Sequence, residues 1–180
     1  MNVLLIFETV EGQSRKIVKF LRDRAETSGH TVQVFDTADK LGTLSFAGID
    51  RVVLVAPVHE RRHPRTFEVV VASNLEDLNH RPSLMVSVSL KAAFPESIDE
   101  AKDYLVEMEM RTGFVPDREM LAAGAVRTAS YGYFESQIVQ NVALEGRQVD
   151  LVNGVREFTD WQELGAQFDS FLETAERQSS

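Results

Sequence analysis

"FETVEGQSRKIVKFL", residues 7–21, is the stretch from which the rest of the chain can be read. An apolar run, "NVLLIF" (2–7), leads into it, and a helical pattern follows in which Ile17, Leu21 and Ala25 recur at four-residue spacing. At the joint stands Gly12, with Thr9, Gln13 and Ser14 around it. A helix N-terminus has unsatisfied N–H groups and the positive end of the helix dipole. A glycine there lets the backbone bend close to a ligand, and two hydroxyls and an amide add donors. This is a phosphate cradle by ordinary physics. The same residues also suit a helix cap with a turn glycine; the strand-to-helix placement favours phosphate. No Gly-Lys-Ser/Thr follows, so this is not a Walker loop, and a single glycine is not G-x-G-x-x-G.

Further apolar runs follow: "TVQVF" (31–35), "DRVVLVAPV" (50–58), "PSLMVSVSL" (82–90) and an Ala-rich "EMLAAGAV" (119–126). Runs apolar on both faces suit strands of a parallel sheet covered on each side. Helical patterns alternate with them. Phe67, Val70, Val71, Leu75 and Leu78 form one face of a helix, and Ile98, Ala101, Leu105 and Met108 another, with "SIDE" (97–100) as its capping box. Trp161, Leu164, Phe168, Phe171 and Leu172 form the last, with Thr159 or Asp160 as N-cap. The alternation predicts an open α/β sheet in one domain over 1–176, with a frayed tail at 177–180. Residues 127–154 are too long for an ordinary connection. Phe134, Ile138 and Val142 suggest a short helix there, and "REF" (156–158) a small strand returning to the sheet.

Composition narrows the function. Lys plus Arg is 19 against 28 Asp plus Glu, a net charge of −9, which argues against nucleic acid as a partner. The chain has no cysteine, which excludes disulfides, thiolate catalysis and Cys-ligated metal. Redox chemistry would need a bound cofactor. The apolar start has no basic lead-in and no stretch is long enough to span a membrane, so a cytoplasmic location is the default.

Ligands of open parallel sheets bind beyond the carboxyl ends of the strands. Three loops lie there: 8–14, 56–65 and 88–95. The second, "APVHERRHPRTF" (56–67), carries Arg61, Arg62 and Arg65 on an acidic protein, a pattern suited to carboxylate or phosphate recognition, or else a solvated loop. His59 and His63 have a metal-pair spacing, but Pro64 and three arginines argue against a metal. No G-x-S-x-G elbow is present, and no side chain is assigned as a catalytic acid or base.

Taken together, the loops resemble the flavodoxin superfamily, whose first loop reads roughly Thr/Ser-x-Thr-Gly-x-Thr where this chain has Thr9 to Ser14. Nearly the whole chain is similar to the bacterial flavodoxin-like protoporphyrinogen IX dehydrogenases. "TVEGQSR" (9–15) matches their T-x-D-G-Q-T-R, and "DRVVLVAPVH" (50–59), "PSLMVSVSL" (82–90), "RTGFVPDREMLAAGAVR" (111–127) and "FTDWQEL" (158–164) also correspond. The resemblance implies a five-stranded parallel sheet of order 2-1-3-4-5, noncovalent FMN, and electron transfer from a porphyrinogen to a quinone. It implies that Thr9, Val10, Glu11, Gly12, Gln13 and Ser14 hold the phosphate. Pro57, Val58, His59, Glu60 and Ser89, Leu90, Lys91, Ala92 would border the flavin ring, and Arg61, Arg62 and Arg65 would meet substrate propionates.

The chain departs from that pattern in three places. Loops 56–65 and 88–95 hold no Trp or Tyr, and Phe94 is their single aromatic. His59-Glu60-Arg61 replaces an Arg-Tyr-Gly-like turn. The 127–154 insertion is acidic where the family's is basic, so no stable membrane insertion is expected. The apolar groups of 127–154 predict a segment beside the flavin that shapes access, or else a homodimer contact. Two other readings remain: an FMN electron-transfer protein or quinone reductase with another donor, acting on a redox protein, and an interaction domain of this fold that has lost FMN.

Overall fold

The computed structural model describes residues 1–127 and 154–174. The helix expected around Phe134 to Val142, the role given to the insertion and the frayed tail all lie outside the described residues. Five strands, β1 (Asn2–Phe7), β2 (Thr31–Asp36), β3 (Arg51–Pro57), β4 (Ser83–Ser89) and β5 (Arg118–Ala123), form one sheet of order β2-β1-β3-β4-β5. Every neighbouring pair is parallel. This is the expected 2-1-3-4-5 sheet.

Side-chain alternation along the central strands builds two cores. Val3, Leu5 and Phe7, with Val53, Val55, Leu84, Val86 and Val88, face α1 (Gln13–Thr27) and a C-terminal helix over Trp161–Glu173. Leu4, Ile6, Val52, Leu54, Ala56 and Met85 face α2 (Arg65–Ser73), α3 (Leu75–Asn79) and α4 (Ile98–Thr112). Because both faces are covered, the strands lack polar alternation. β2 differs: it is an edge strand, and Val34 is 43% exposed, so the "TVQVF" run is not buried on both faces as expected.

Four other expectations are corrected. The Phe67–Leu78 face is two helices, broken at Asn74, where φ is −124° and the side-chain amide donates to the Val70 carbonyl at 2.7 Å. The fifth run divides at Gly124: β5 ends at Ala123, and β6 (Ala125–Arg127) leaves the sheet. There it pairs antiparallel with β7 (Val155–Glu157), so the small strand near 156 does not rejoin the main sheet. Finally, Ser97 caps no N–H of α4. Short 3₁₀ turns at Lys91–Ala93 and Pro95–Ser97 precede the helix and draw its hydroxyl to the Lys91 carbonyl at 2.7 Å. The C-terminal helix, α5 (Trp161–Glu173), does have its expected cap: Asp160 accepts from the Glu163 N–H at 3.0 Å.

Candidate functional site at the carboxyl edge of the sheet

Parallel pairing places the ends of β1, β3 and β4 on one edge, and the loops that follow them converge there. The first turns tightly into α1. Gly12 is the helix N-cap at φ +95°, a left-handed conformation that disfavours side chains. Its N–H donates to Thr9 Oγ1 at 2.9 Å, which closes the loop on itself. The first intrahelical bond runs from Lys16 N to the Gly12 carbonyl at 3.1 Å, so the N–H groups of Gln13, Ser14 and Arg15 precede it. Ser14 is 1% exposed, and its Oγ has no hydrogen-bond partner. A buried hydroxyl is almost always paired. One left without a partner at the head of a helix, beside a glycine around which no atom lies within 4 Å of a would-be Cβ, suits an anion that completes the shell.

Gln13 has a different place from the one expected of a phosphate donor. Its side-chain nitrogen donates to Thr159 Oγ1 at 2.9 Å and to Glu157 at 3.1 Å, and its oxygen accepts from Arg127. Only its backbone N–H faces the same duty as that of Ser14. Glu157 also receives Lys16 at 2.5 Å and Trp161 Nε1 at 2.7 Å. Burial pushes the Glu157 carboxyl upward, but these donors outweigh it and hold the pKa below the ordinary value.

The second loop folds as a two-residue reverse turn. His59 and Arg62 exchange backbone bonds of 2.9 and 3.1 Å, and Val58 N donates to the Val88 carbonyl at 2.8 Å, which holds the loop to the third. Glu60 and Arg61 both have positive φ, 50° and 66°. Non-glycine residues in that region cost about 1–3 kcal/mol each and persist only where the surroundings enforce them. Arg62 supplies that enforcement: its guanidinium reaches Glu68 at 2.6 Å, and Arg111 clasps the same carboxylate at 2.7 and 3.0 Å. Of the three arginines expected to meet substrate, Arg62 is therefore bound into the scaffold, while Arg61 and Arg65 are exposed.

The loops touch one another. His59 Nδ1 lies 3.8 Å from Glu11, which joins the first loop to the second. Glu100 joins the second to the third: Lys91 reaches it at 3.1 Å and Arg61 at 3.7 Å. Ser89 Oγ accepts from Ala92 N at 3.3 Å and shapes the third loop. Leu90 and Pro57 are partly buried at its base. Phe94 packs edge-to-face on Phe158, with centroids 5.6 Å apart. Val10, at the tip of the first loop, is 49% exposed.

Beneath this edge lie polar groups that sequence reasoning does not find. Glu8, 8% exposed, accepts from Thr37 at 2.5 Å and from Thr66 at 2.6 and 2.7 Å, tying the ends of β1, β2 and the start of α2. His63 is 1% exposed, with Nε2 2.8 Å from Ser87 Oγ and Nδ1 without a partner. Burial of both makes this a core contact, not a nucleophile with its base. Among the described residues, no cluster of three His, Cys, Asp or Glu could hold a metal.

His63 sets a pH dependence. Burial above all holds its pKa down at about 4, against an ordinary value of 6.5. Below pH 6.5 the unfolded chain takes up a proton that the folded chain refuses until about pH 4. Stability is therefore lost as pH falls through that window, by about 3 kcal/mol over its whole width. Glu109 opposes it: burial and the neighbouring Glu119 raise its pKa to about 7, so it removes stability as pH rises from its ordinary 4.5. The comparison that isolates His63 is wild type against His63→Gln in urea between pH 7 and 5. The wild type is expected to lose stability with acid relative to the variant; parallel curves would mean that His63 is protonated in the fold.

The comparisons with known proteins agree with this architecture. A family model described as a flavodoxin domain matches residues 4–149, and the chain belongs to that family. Among curated proteins it is 26% identical over 166 residues to the protoporphyrinogen IX dehydrogenase [quinone] of Escherichia coli (strain K12), an alignment that covers 91% of each chain. Solved structures also share the fold, among them the following two. One is a putative quinone reductase from Klebsiella pneumoniae, at 13% identity and TM-score 0.54, covering 98% of this chain and 86% of that one. The other is oxidised Flavodoxin 1 from Bacillus cereus, at 13% identity and TM-score 0.50, covering 81% and 96%.

Proposed function

We propose that the chain is an FMN-dependent oxidoreductase that takes electrons from a porphyrinogen and passes them to a quinone. The observation that carries the cofactor assignment is the buried, unpartnered Ser14 hydroxyl at the head of α1. The 26% identity to a protoporphyrinogen IX dehydrogenase [quinone] over nearly the whole chain supports the choice of substrates. When bound, FMN would supply the two-electron redox chemistry. The protein's part is placement. Gly12, Ser14 and the backbone N–H groups of 13–15 would hold the phosphate. The strained 59–62 turn and residues 89–92 would border the ring, with backbone groups at its edge. No side chain there is assigned as acid or base.

Arg61 and Arg65 are the groups for anionic substrate. Each is exposed beside the edge, in a chain of net charge −9. The double change Arg61→Gln, Arg65→Gln is expected to leave FMN bound, raise KM for a propionate-bearing porphyrinogen by about fivefold at low salt, and flatten the salt dependence. Loss of flavin instead would place these arginines in the cofactor site.

Among the described residues no helix is long and apolar enough to cross a membrane; a cytoplasmic compartment is part of the proposal. A second reading, an electron carrier docking a basic redox protein, draws on the acidic charge. Anaerobic turnover with a porphyrinogen and a soluble quinone separates the two: FMN-loaded protein that oxidises the porphyrinogen fits the first, and protein reduced only by a redox partner fits the second. Protein that takes up no FMN overturns both and leaves an interaction domain of this fold.

A further inference from the structure

Arg127 and Glu157 stand at the two ends of the β6–β7 ladder, in the register Ala125↔Glu157 and Arg127↔Val155. Both grip the first turn of α1, and Arg127 also reaches the loop before it. Arg127 donates to the Gln13 side-chain oxygen, and its second nitrogen lies 3.5 Å from the Glu11 carbonyl. Glu157 and Thr159 accept from the Gln13 nitrogen at 3.1 and 2.9 Å, and Thr159 donates onward to the Ala123 carbonyl at 2.7 Å. The residues on either side of Gly12 are thus braced from the ribbon. Within the loop itself, Thr9 to the Gly12 N–H is the side-chain bond that shapes it. Gln13 is 6% exposed, so its amide is a buried bolt whose donor and acceptor are both used by the β6–β7 ribbon and by Thr159 just beyond it.

We propose that the β6–β7 ribbon is a clamp on the phosphate loop, with Arg127 and Glu157 as positioning residues that act through Gln13, so that cofactor-phosphate binding and ribbon docking are coupled. The inference rests on the phosphate reading of residues 12–15. Gly12, at φ +95°, has a wider choice of backbone conformations than any other residue type would have there, so the brace on its two neighbours narrows what the loop can relax into. Relaxation would splay the Gln13, Ser14 and Arg15 N–H groups and dilute the binding-competent population. Coupling of binding free energies is reciprocal: whatever factor the docked ribbon adds to anion affinity, the anion adds to ribbon docking.

The experiment uses apoprotein of the full chain titrated with FMN and, separately, with riboflavin, which lacks the phosphate. Arg127→Ala is expected to weaken FMN about tenfold, within the usual range of coupling between sites. It should leave riboflavin affinity unchanged. Arg127→Lys should recover part of the loss. Gln13→Leu should weaken FMN similarly, and adding Arg127→Ala to it should cost less than Arg127→Ala does alone, because the two share the Arg127–Gln13 contact and only the longer Arg127–Glu11 bond remains to be lost. Hydrogen exchange gives the reciprocal reading. Saturating FMN should slow the Val155–Glu157 amides in the wild type and not in Gln13→Leu. Undiminished FMN affinity in both Arg127→Ala and Gln13→Leu would overturn the clamp, as would ribbon exchange indifferent to FMN. Equal losses for riboflavin and FMN would also overturn it, since they would mean general damage to the site. Should Arg127→Ala not fold, Glu157→Gln with Arg127→Lys gives the same comparison. Failure of the phosphate reading looks different: Ser14→Glu would then bind FMN as the wild type does, whatever the ribbon variants do.

Discussion

Ser14→Glu should weaken FMN binding by about 100-fold or more while the fold survives. Two opposite charges at a helix N-terminus attract, and two like charges held there repel by about 4 kcal/mol at 4 Å under an effective dielectric of 20. Solvent and salt reduce that figure, and about 100-fold corresponds to ~2.7 kcal/mol, within what remains. The carboxylate itself suits the position in the absence of cofactor, because the dipole and the N–H groups of 13–15 accept any anion. Loss of FMN should therefore come without loss of helix. Ser14→Ala is the control: it removes one hydroxyl donor and should cost about tenfold. Flavin fluorescence quenching against apoprotein measures both. Unchanged FMN affinity in Ser14→Glu would move the phosphate away from α1 altogether. Riboflavin adds a second reading: it should bind the two variants and the wild type with similar weakness.

The parts of this site that sequence reveals are local, and the parts it hides are distant. The strand-to-helix joint at 9–15 was readable because an apolar run stands before it and a helical pattern after it. The open α/β class followed from apolar runs that alternate with helical faces, and the strand order from the family resemblance alone. Edge position was not readable: "TVQVF" is as apolar as a central strand, and nothing in it says that β2 has one neighbour. The partners of Gln13 were hidden for another reason. Arg127 and Thr159 lie 114 and 146 residues along the chain, and a lone glutamine beside a glycine looks like a ligand donor until those residues are placed. Arg62 misled in the same way. In sequence it belongs to a basic patch, but Glu68 takes up its charge and Arg111, 43 residues beyond Glu68, completes the contact. The one hint was Glu68 itself, a charged residue next to Phe67 on the buried side of α2.

Glu68→Ala is expected to be the most destabilising single change at this edge, by about 3 kcal/mol, the lower end of the range for breaking a buried pair. The lower end is chosen because only one partner is fully buried: Glu68 is 6% exposed at its side chain, but Arg62 is 38% and Arg111 is 30%. Burial raises the Glu68 pKa, and the hydrogen bonds from Arg111 and Arg62 more than reverse that, holding it below the ordinary carboxylate value. That part of the stability is present above pH 4.5 and is lost as pH falls below it, beneath most of the His63 window. The change should also reach the site. Without Glu68 the Arg62 side chain loses its anchor, and the Glu60 and Arg61 conformations at positive φ keep only the His59–Arg62 backbone bonds to enforce them. FMN affinity should fall, though by less than in Ser14→Glu. An apolar replacement of the whole group separates stability from positioning, because buried ionic groups exchanged for packed apolar ones often cost nothing. Arg62→Met, Glu68→Leu and Arg111→Met together should regain most of the stability in urea unfolding, while the affinity for FMN stays low. Recovery of both would mean that the turn is held by packing alone. A triple variant as unstable as Glu68→Ala would mean that the carboxylate does more than neutralise two cations.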